Sequence, residues 1–141
     1  MRRIASSLSI PLAFLALVTA FAGCGGPRSY SMAGTQRDPG VEARLQIERI
    51  EGGNNLLTLT VRFLTPPDRL GDGNTVFMVW IRQQNGVTSL ASQLGYTPDS
   101  REGRATATTP HQRFTLLVTA ERDATAGAPS DFVILQQDVE L

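Results

Sequence analysis

The chain has 141 residues, and its 13 basic residues, all arginine, balance 13 acidic residues. This length suits one domain, and a formal net charge of zero excludes the basic footprint of a nucleic-acid-binding protein. The single cysteine excludes an intramolecular disulfide, so a folded core must depend on packing.

The first 23 residues have the organisation of a secretory signal peptide. Arg2 and Arg3 place positive charge at the N-terminus, and a mostly apolar run covers residues 10–22. A membrane-spanning helix needs about 20 apolar residues, whereas this run ends at Gly23 and is followed by residues that form helices poorly. We therefore expect residues 1–23 to act as an export signal.

The end of this run is a candidate lipidation site. Phe21-Ala22-Gly23-Cys24 resembles the bacterial lipobox, in which small residues precede a cysteine whose thiol accepts a diacylglyceryl group. The alternative is an ordinary signal peptide that leaves a lone thiol at Cys24. Lipidation would make the bacterial cell envelope the location and the membrane a partner. Because Gly25 and Gly26 follow the cysteine in place of an aspartate, we expect the outer membrane, facing the periplasm or the surface.

Residues 24–40 contain mainly Gly, Pro, Ser and other polar residues without periodicity. This composition is typical of a flexible linker. We expect these residues to be a lipidated flexible tether that holds a folded domain, residues 41–141, away from the bilayer.

The rest of the chain has the two-residue periodicity of β-strands. Residues 75–82 are the most apolar stretch after the signal peptide, which predicts a central strand buried on both faces. Asn85-Gly86 predicts a hairpin with a type I′ turn. The predicted strands lie in residues 41–50, 57–63, 75–83, 87–96, 104–109, 114–121 and 131–139.

Seven short strands separated by regular turn signals predict an all-β fold. We expect an antiparallel, immunoglobulin-like β-sandwich of about seven strands. A small barrel is the alternative.

The second half of the chain carries a family resemblance. The residues concerned are Phe77-Met78-Val79-Trp80-Ile81-Arg82, Gly86, Gly95-Tyr96, Phe114, Val118-Thr119-Ala120-Glu121, Pro129 and Val133. This order resembles the extracytoplasmic C-terminal domain of the anti-sigma-K factor family, and the resemblance implies an all-β extracytoplasmic domain. It does not imply sigma regulation, because the sequence shows neither the cytoplasmic helical domain nor the transmembrane helix of that family.

The ionisable residues form no evident catalytic or metal-binding motif. His111 stands alone in a turn, where an exposed residue is expected rather than a general base or metal ligand. The arginines Arg101 and Arg104 flank a glycine loop and could bind an anion, but a solvated loop is the preferred interpretation. We therefore expect no enzyme, no metal and no cofactor.

Two features could contact a ligand. Asp68, Asp72 and Asn74 share one loop, in which turn chemistry explains the residue types better than calcium binding does. Trp80 could stack on a sugar if it faced outward, although a tryptophan within so apolar a strand more often belongs to a core.

The expected function is therefore that of a membrane-anchored envelope lipoprotein with a non-enzymatic binding or structural module. Its partner would be an envelope protein or a glycan. The alternative is a carbohydrate-binding or enzyme-inhibitor accessory module that uses Trp80 or the loop of residues 68–74.

Overall fold

The computed structural model describes residues 26–71 and 73–141, so the signal peptide, Cys24 and Asp72 lie outside the described residues. The described chain consists of strands, turns and two short 3₁₀ helices, Glu51–Gly53 and Pro67–Arg69. The strands are β1 (Arg28–Ala33), β2 (Glu42–Arg49), β3 (Asn55–Arg62), β4 (Val76–Gln83), β5 (Thr88–Thr97), β6 (Glu102–Thr109), β7 (Arg113–Glu121) and β8 (Val133–Glu140).

All eight strands belong to one sheet with the order β1-β2-β3-β6-β5-β4-β7-β8. Every neighbouring pair is antiparallel. The sheet curls into a single, nearly closed barrel. The seven predicted strands are present and the all-β class is correct, but the predicted immunoglobulin-like β-sandwich of two sheets is wrong.

The barrel forms because β5 changes partner along its length. Its first part pairs with β4, and its last three residues, Gly95 to Thr97, pair with β6. A register shift between Val79 and Trp80 in the β4–β5 ladder increases the local bend. At the bend, a Cβ on Gly103 would lie 2.5 Å from Leu94 Cδ2, so only glycine allows this approach. β5 thereby joins the strands β1, β2, β3 and β6 to the strands β4, β7 and β8 in one sheet, where a sandwich would keep two separate sheets.

Side chains and loop backbone close the seam between β1 and β8. The guanidinium of Arg28 (Nη1) and the hydroxyl of Tyr30 both donate to the Glu140 carbonyl, each at 2.9 Å. Just beyond the other end of β1, Thr35 N donates to Ile134 O at 2.9 Å and Thr35 Oγ1 donates to Val133 O at 2.7 Å. The barrel is therefore fastened at both ends of this seam.

The predicted tether differs from the structure, because residues 28–40 belong to the barrel. β1 pairs with β2 from Arg28↔Ile47 to Ala33↔Glu42. The following turn is held by buried Asp38, whose carboxylate accepts Thr65 N at 3.0 Å and Thr65 Oγ1 at 2.9 Å. The sequence gives little signal for β1, because Met32 is its only buried side chain and Tyr30 is half-buried against the core.

The interior of the barrel is apolar. Alternate residues of each strand point inward, as the two-residue period requires. The largest interior side chains include Leu45, Ile47, Leu57, Leu59, Val61, Leu64, Phe77, Val79, Ile81, Leu94, Leu116, Val118 and Ile134.

Each end of the barrel collects a defined set of segments. The lower end contains loop 50–54, hairpin loop 84–87, connection 110–112, the start of β1 and the end of β8. The upper end contains loops 34–41, 63–75, 98–101 and 122–132.

The predicted hairpin at Asn85-Gly86 is present, but its turn is not type I′. Gly86 N donates to Gln83 O at 2.9 Å, and Gln83 N donates to Val87 O at 2.8 Å. Gly86 has φ +86°, whereas Asn85 is not among the described residues with positive φ. The loop is therefore a three-residue turn closed by a left-handed glycine, the second common hairpin solution.

Candidate functional site

The outer face of the barrel carries a second, small core. Alternation along β4 turns Phe77, Val79 and Ile81 inward and Met78 and Trp80 outward. The outward pair packs with Leu117 of β7, and partly buried Val76, Ala126 and Val133 complete the cluster. Ala126 belongs to loop 122–132, so this loop folds over the outer face and leaves Trp80 only 1% exposed.

A chain of hydrogen bonds runs through this cluster. Trp80 Nε1 donates to Thr119 Oγ1 at 2.8 Å, and Thr119 Oγ1 donates to Glu121 Oε1 at 2.5 Å. The same carboxylate oxygen accepts Ser130 N at 2.8 Å. Buried polar groups are costly unless they are paired, so the chain stabilises both the strand and the loop that covers it.

Trp80 therefore does not present its ring to a ligand. Its faces are covered by packing and its N–H is bonded to Thr119. The sequence marks Trp80 as a possible contact residue but does not reveal that Thr119, Glu121 and Ser130 bond to one another and to its indole. The only local signal was polar residues at alternate positions near the end of a strand that is otherwise apolar.

A cleft opens beside this cluster at the upper end. It measures about 460 Å³. Its lining residues are Gly71, Asn74, Glu121, Arg122, Asp123, Ala126, Ser130, Asp131 and Phe132. Cationic, anionic, amide and aromatic groups thus converge on one open, concave surface.

The acidic groups of this cleft are partly engaged by their own loop. The Asp123 carboxylate accepts the hydroxyl of Thr125 and, at 2.8 Å, the backbone N–H of Thr125. The hydrogen bond from the hydroxyl, and to a lesser extent that from the backbone N–H, holds the pKa of Asp123 below its usual value. Asp123 is therefore ionised near neutral pH.

The predicted Asp68, Asp72 and Asn74 loop is only partly brought together. Asn74 is buried and lines the upper cleft, whereas Asp68 is exposed in the helix Pro67–Arg69 and lies outside that lining. Asp72 is outside the described residues. Within residues 26–71 and 73–141, no three His, Cys, Asp or Glu side chains form a metal-binding group.

The remaining candidates act through local contacts. Arg101 donates to Leu64 O through Nε at 2.8 Å and to Phe63 O through Nη2 at 2.9 Å, so its guanidinium ties two upper loops together. Arg104 is exposed on β6. His111 takes part through its backbone, since its carbonyl accepts Asn55 Nδ2 at 3.1 Å and closes the lower end.

No protein-family model matches the chain, and comparisons with curated proteins and with solved structures give no match either. The resemblance to the anti-sigma-K factor family stays a prediction from the residues that carry it.

Over the two described ranges, no helix has both the length and the apolar character required to cross a bilayer.

Proposed function

We propose that this chain is a lipoprotein of the bacterial envelope, anchored through a lipid on Cys24, whose barrel is a non-enzymatic binding or structural module. The observation that carries the proposal is the Phe21-Ala22-Gly23-Cys24 sequence at the end of an export signal. It is supported by the position of β1, whose first residue, Arg28, follows Cys24 closely. Processing at Cys24 would therefore leave all eight strands in the mature chain.

The contacts of the buried ionisable groups support the non-enzymatic part. Asp38 fastens loop 34–41 to Thr65, and Glu121 fastens loop 122–132 to β7. Their carboxylate oxygens accept hydrogen bonds from neighbouring segments, so both groups have a structural role.

Metabolic labelling with a palmitate analogue in a bacterial host tests the anchor. Wild type should incorporate the label, Cys24→Ala should not, and Ser29→Ala, beyond the signal and the cysteine, should label like wild type. Equal labelling of wild type and Cys24→Ala would refute lipidation at this cysteine.

The upper cleft favours a second candidate, a carbohydrate-binding or inhibitory accessory module. Here the contacts would come from Asn74, Asp131 and Phe132, because Trp80 is covered. A glycan array probed with residues 26–141 should then show saturable binding that Asp131→Ala weakens and Asp99→Ala, in another upper loop, leaves unchanged. Equal binding by the two variants would exclude the upper cleft as the site.

A further inference from the structure

The end of the barrel at which the chain enters is fixed by topology. Neighbouring strands alternate in direction around the whole sheet, so β1 begins at the lower end, beside loop 50–54 and connection 110–112. Three residues, Gly25 to Pro27, separate Cys24 from β1. Even fully extended, they contribute at most about 10 Å.

The same end carries exposed apolar side chains. Ile50 in loop 50–54 is 36% exposed, and Val87 in hairpin loop 84–87 is 54% exposed. Leu90, at 47%, follows on the outer face of β5. At the upper end the comparable residue is Phe63, at 44%, and the Arg62 guanidinium lies 4.9 Å from its ring centroid.

The charges of the lower end are mixed. Arg49 and Glu51 are both exposed there, and Arg113 Nη2 pairs with Glu140 Oε1 at 2.8 Å. Such a surface has no strong electrostatic attraction to anionic lipids. Any contact with a bilayer must therefore rest on the lipid anchor and the apolar tips, while the long arginine side chains extend to the headgroups.

We propose that the lower end of the barrel rests on the membrane, with the tips of loops 50–54 and 84–87 entering the headgroup region. This inference rests on the lipidation of Cys24 proposed above. The sequence predicted a tether that holds the domain away from the bilayer, whereas this arrangement places the barrel directly against it. The upper cleft, at the opposite end, then faces away from the membrane and is free to meet a partner.

Single-cysteine labelling of the lipidated full chain tests the orientation. Acylation consumes the thiol of Cys24, the only native cysteine, so one added cysteine takes a nitrobenzoxadiazole label selectively. The variants are Val87→Cys and Ile50→Cys at the lower end, with Phe63→Cys as a control of similar exposure at the upper end. Each is bound to phosphatidylethanolamine–phosphatidylglycerol vesicles with and without doxyl-labelled lipid, and circular dichroism checks its fold.

The expected result is a blue-shifted emission for the labels at positions 50 and 87, which loses most of its intensity to doxyl lipid, and little change at position 63. Equal quenching at both ends, or none at either, would overturn the orientation. A shielded label at position 87 that doxyl lipid does not quench would indicate a protein contact and would also overturn it. Failure of the wild-type chain to float with vesicles would refute the anchor itself, whereas flotation without quenching would refute only the orientation.

Discussion

The hydroxyl of Thr119 links two residues at the small core on the outer face of the barrel, Met78, Trp80 and Leu117, which we call the outer cluster. This hydroxyl accepts from the one indole N–H of the chain, that of Trp80, and donates to Glu121. Thr119 is fully buried, so water cannot replace a lost partner. Removing the hydroxyl leaves the buried indole N–H of Trp80 unpaired and takes one of two hydrogen bonds from Glu121 Oε1, which keeps that of Ser130 N. An unpaired buried donor costs more than a hydrogen bond lost at the surface.

We expect Thr119→Val, which keeps the shape of the side chain, to lower the free energy of unfolding by about 1–3 kcal/mol. The matched control is Thr115→Val on the same strand, whose hydroxyl donates to Asp138 Oδ1 at 2.6 Å in an exposed setting. That change should cost less than about 0.5 kcal/mol. Urea unfolding followed by Trp80 fluorescence measures both variants. Equal decreases in the free energy of unfolding would contradict a special role for the buried hydrogen bonds of Thr119.

Tyr96 presents the opposite case. Its ring packs edge-on against Phe77, with the ring centroids 5.5 Å apart. Its buried hydroxyl has no hydrogen-bond partner among the described residues. Burial raises the pKa of Tyr96 above its ordinary value of 10.0.

Tyr96→Phe should therefore leave the stability at pH 7 unchanged or increase it, because it removes an unpaired polar atom. In the wild type, the raised pKa means that the folded state holds the phenolic proton more tightly than the unfolded state. The resulting stability is present below pH 10 and is lost as the pH rises through the folded-state pKa; the variant should lack this loss. Denaturant midpoints across alkaline pH measure it.

The control is Tyr30→Phe, which removes the 2.9 Å bond from the hydroxyl to the Glu140 carbonyl. It should destabilise the protein at pH 7. If Tyr96→Phe lowered the free energy of unfolding at pH 7 by more than Tyr30→Phe, the conclusion that the Tyr96 hydroxyl is unpaired would be wrong.

At the scale of elements, β1 and the turn after it decide where the domain begins. β1 covers one edge of β2 and approaches β8, and Asp38 fixes the turn to the β3–β4 loop. A chain that begins at residue 41 lacks β1 and Asp38, so it loses the contacts of β1 with β2 and β8 and the bond of Asp38 to the β3–β4 loop. It also exposes the edge of β2, which invites pairing with other molecules.

We expect a chain of residues 41–141 to be aggregation-prone and to lack a cooperative thermal transition, whereas residues 26–141 should be soluble and show one. Soluble yield and thermal unfolding by circular dichroism compare them. An equal melting temperature for the two chains would show that β1 is an accessory strand rather than part of the barrel.

The strands differ in how far their sequences predict them. The alternation of β2 and β3 and the apolar run of β4 locate these strands without any knowledge of tertiary structure. β1 carries only a short alternation, in which Ser29 and Ser31 are exposed while Tyr30 is half-buried and Met32 is buried, and Gly, Pro and Ser residues surround it. Composition alone therefore made this stretch resemble a linker.

For the molecule as a whole, continuity of the sheet is the dominant property. β4 and β7 each contribute one face to the barrel interior and the other to the outer cluster, so the two cores share the same strands. The seam between β1 and β8 links segments more than 100 residues apart. Neither half of the barrel has a complete core without the other.

We therefore expect residues 26–141 to unfold in a single two-state transition. Trp80 fluorescence, which reports on the outer cluster, and far-ultraviolet circular dichroism, which reports on the sheet, should give the same denaturant midpoint. Val87→Thr at the exposed lower tip should leave that midpoint unchanged. Separate midpoints for the two probes would indicate that the outer cluster and the barrel are independent units.

The sequence by itself determined the strands whose faces differ in polarity, the hairpin at Gly86 and the expectation of an exported, lipid-anchored chain. Tertiary structure alone decided that β5 joins two halves into one barrel, that residues 28–40 belong to it and that loop 122–132 covers Trp80. The physical reason is that alternation specifies which side chains of a strand are buried but not which distant segment buries them. That choice depends on pairing between strands and loops far apart in the chain, which no local pattern records.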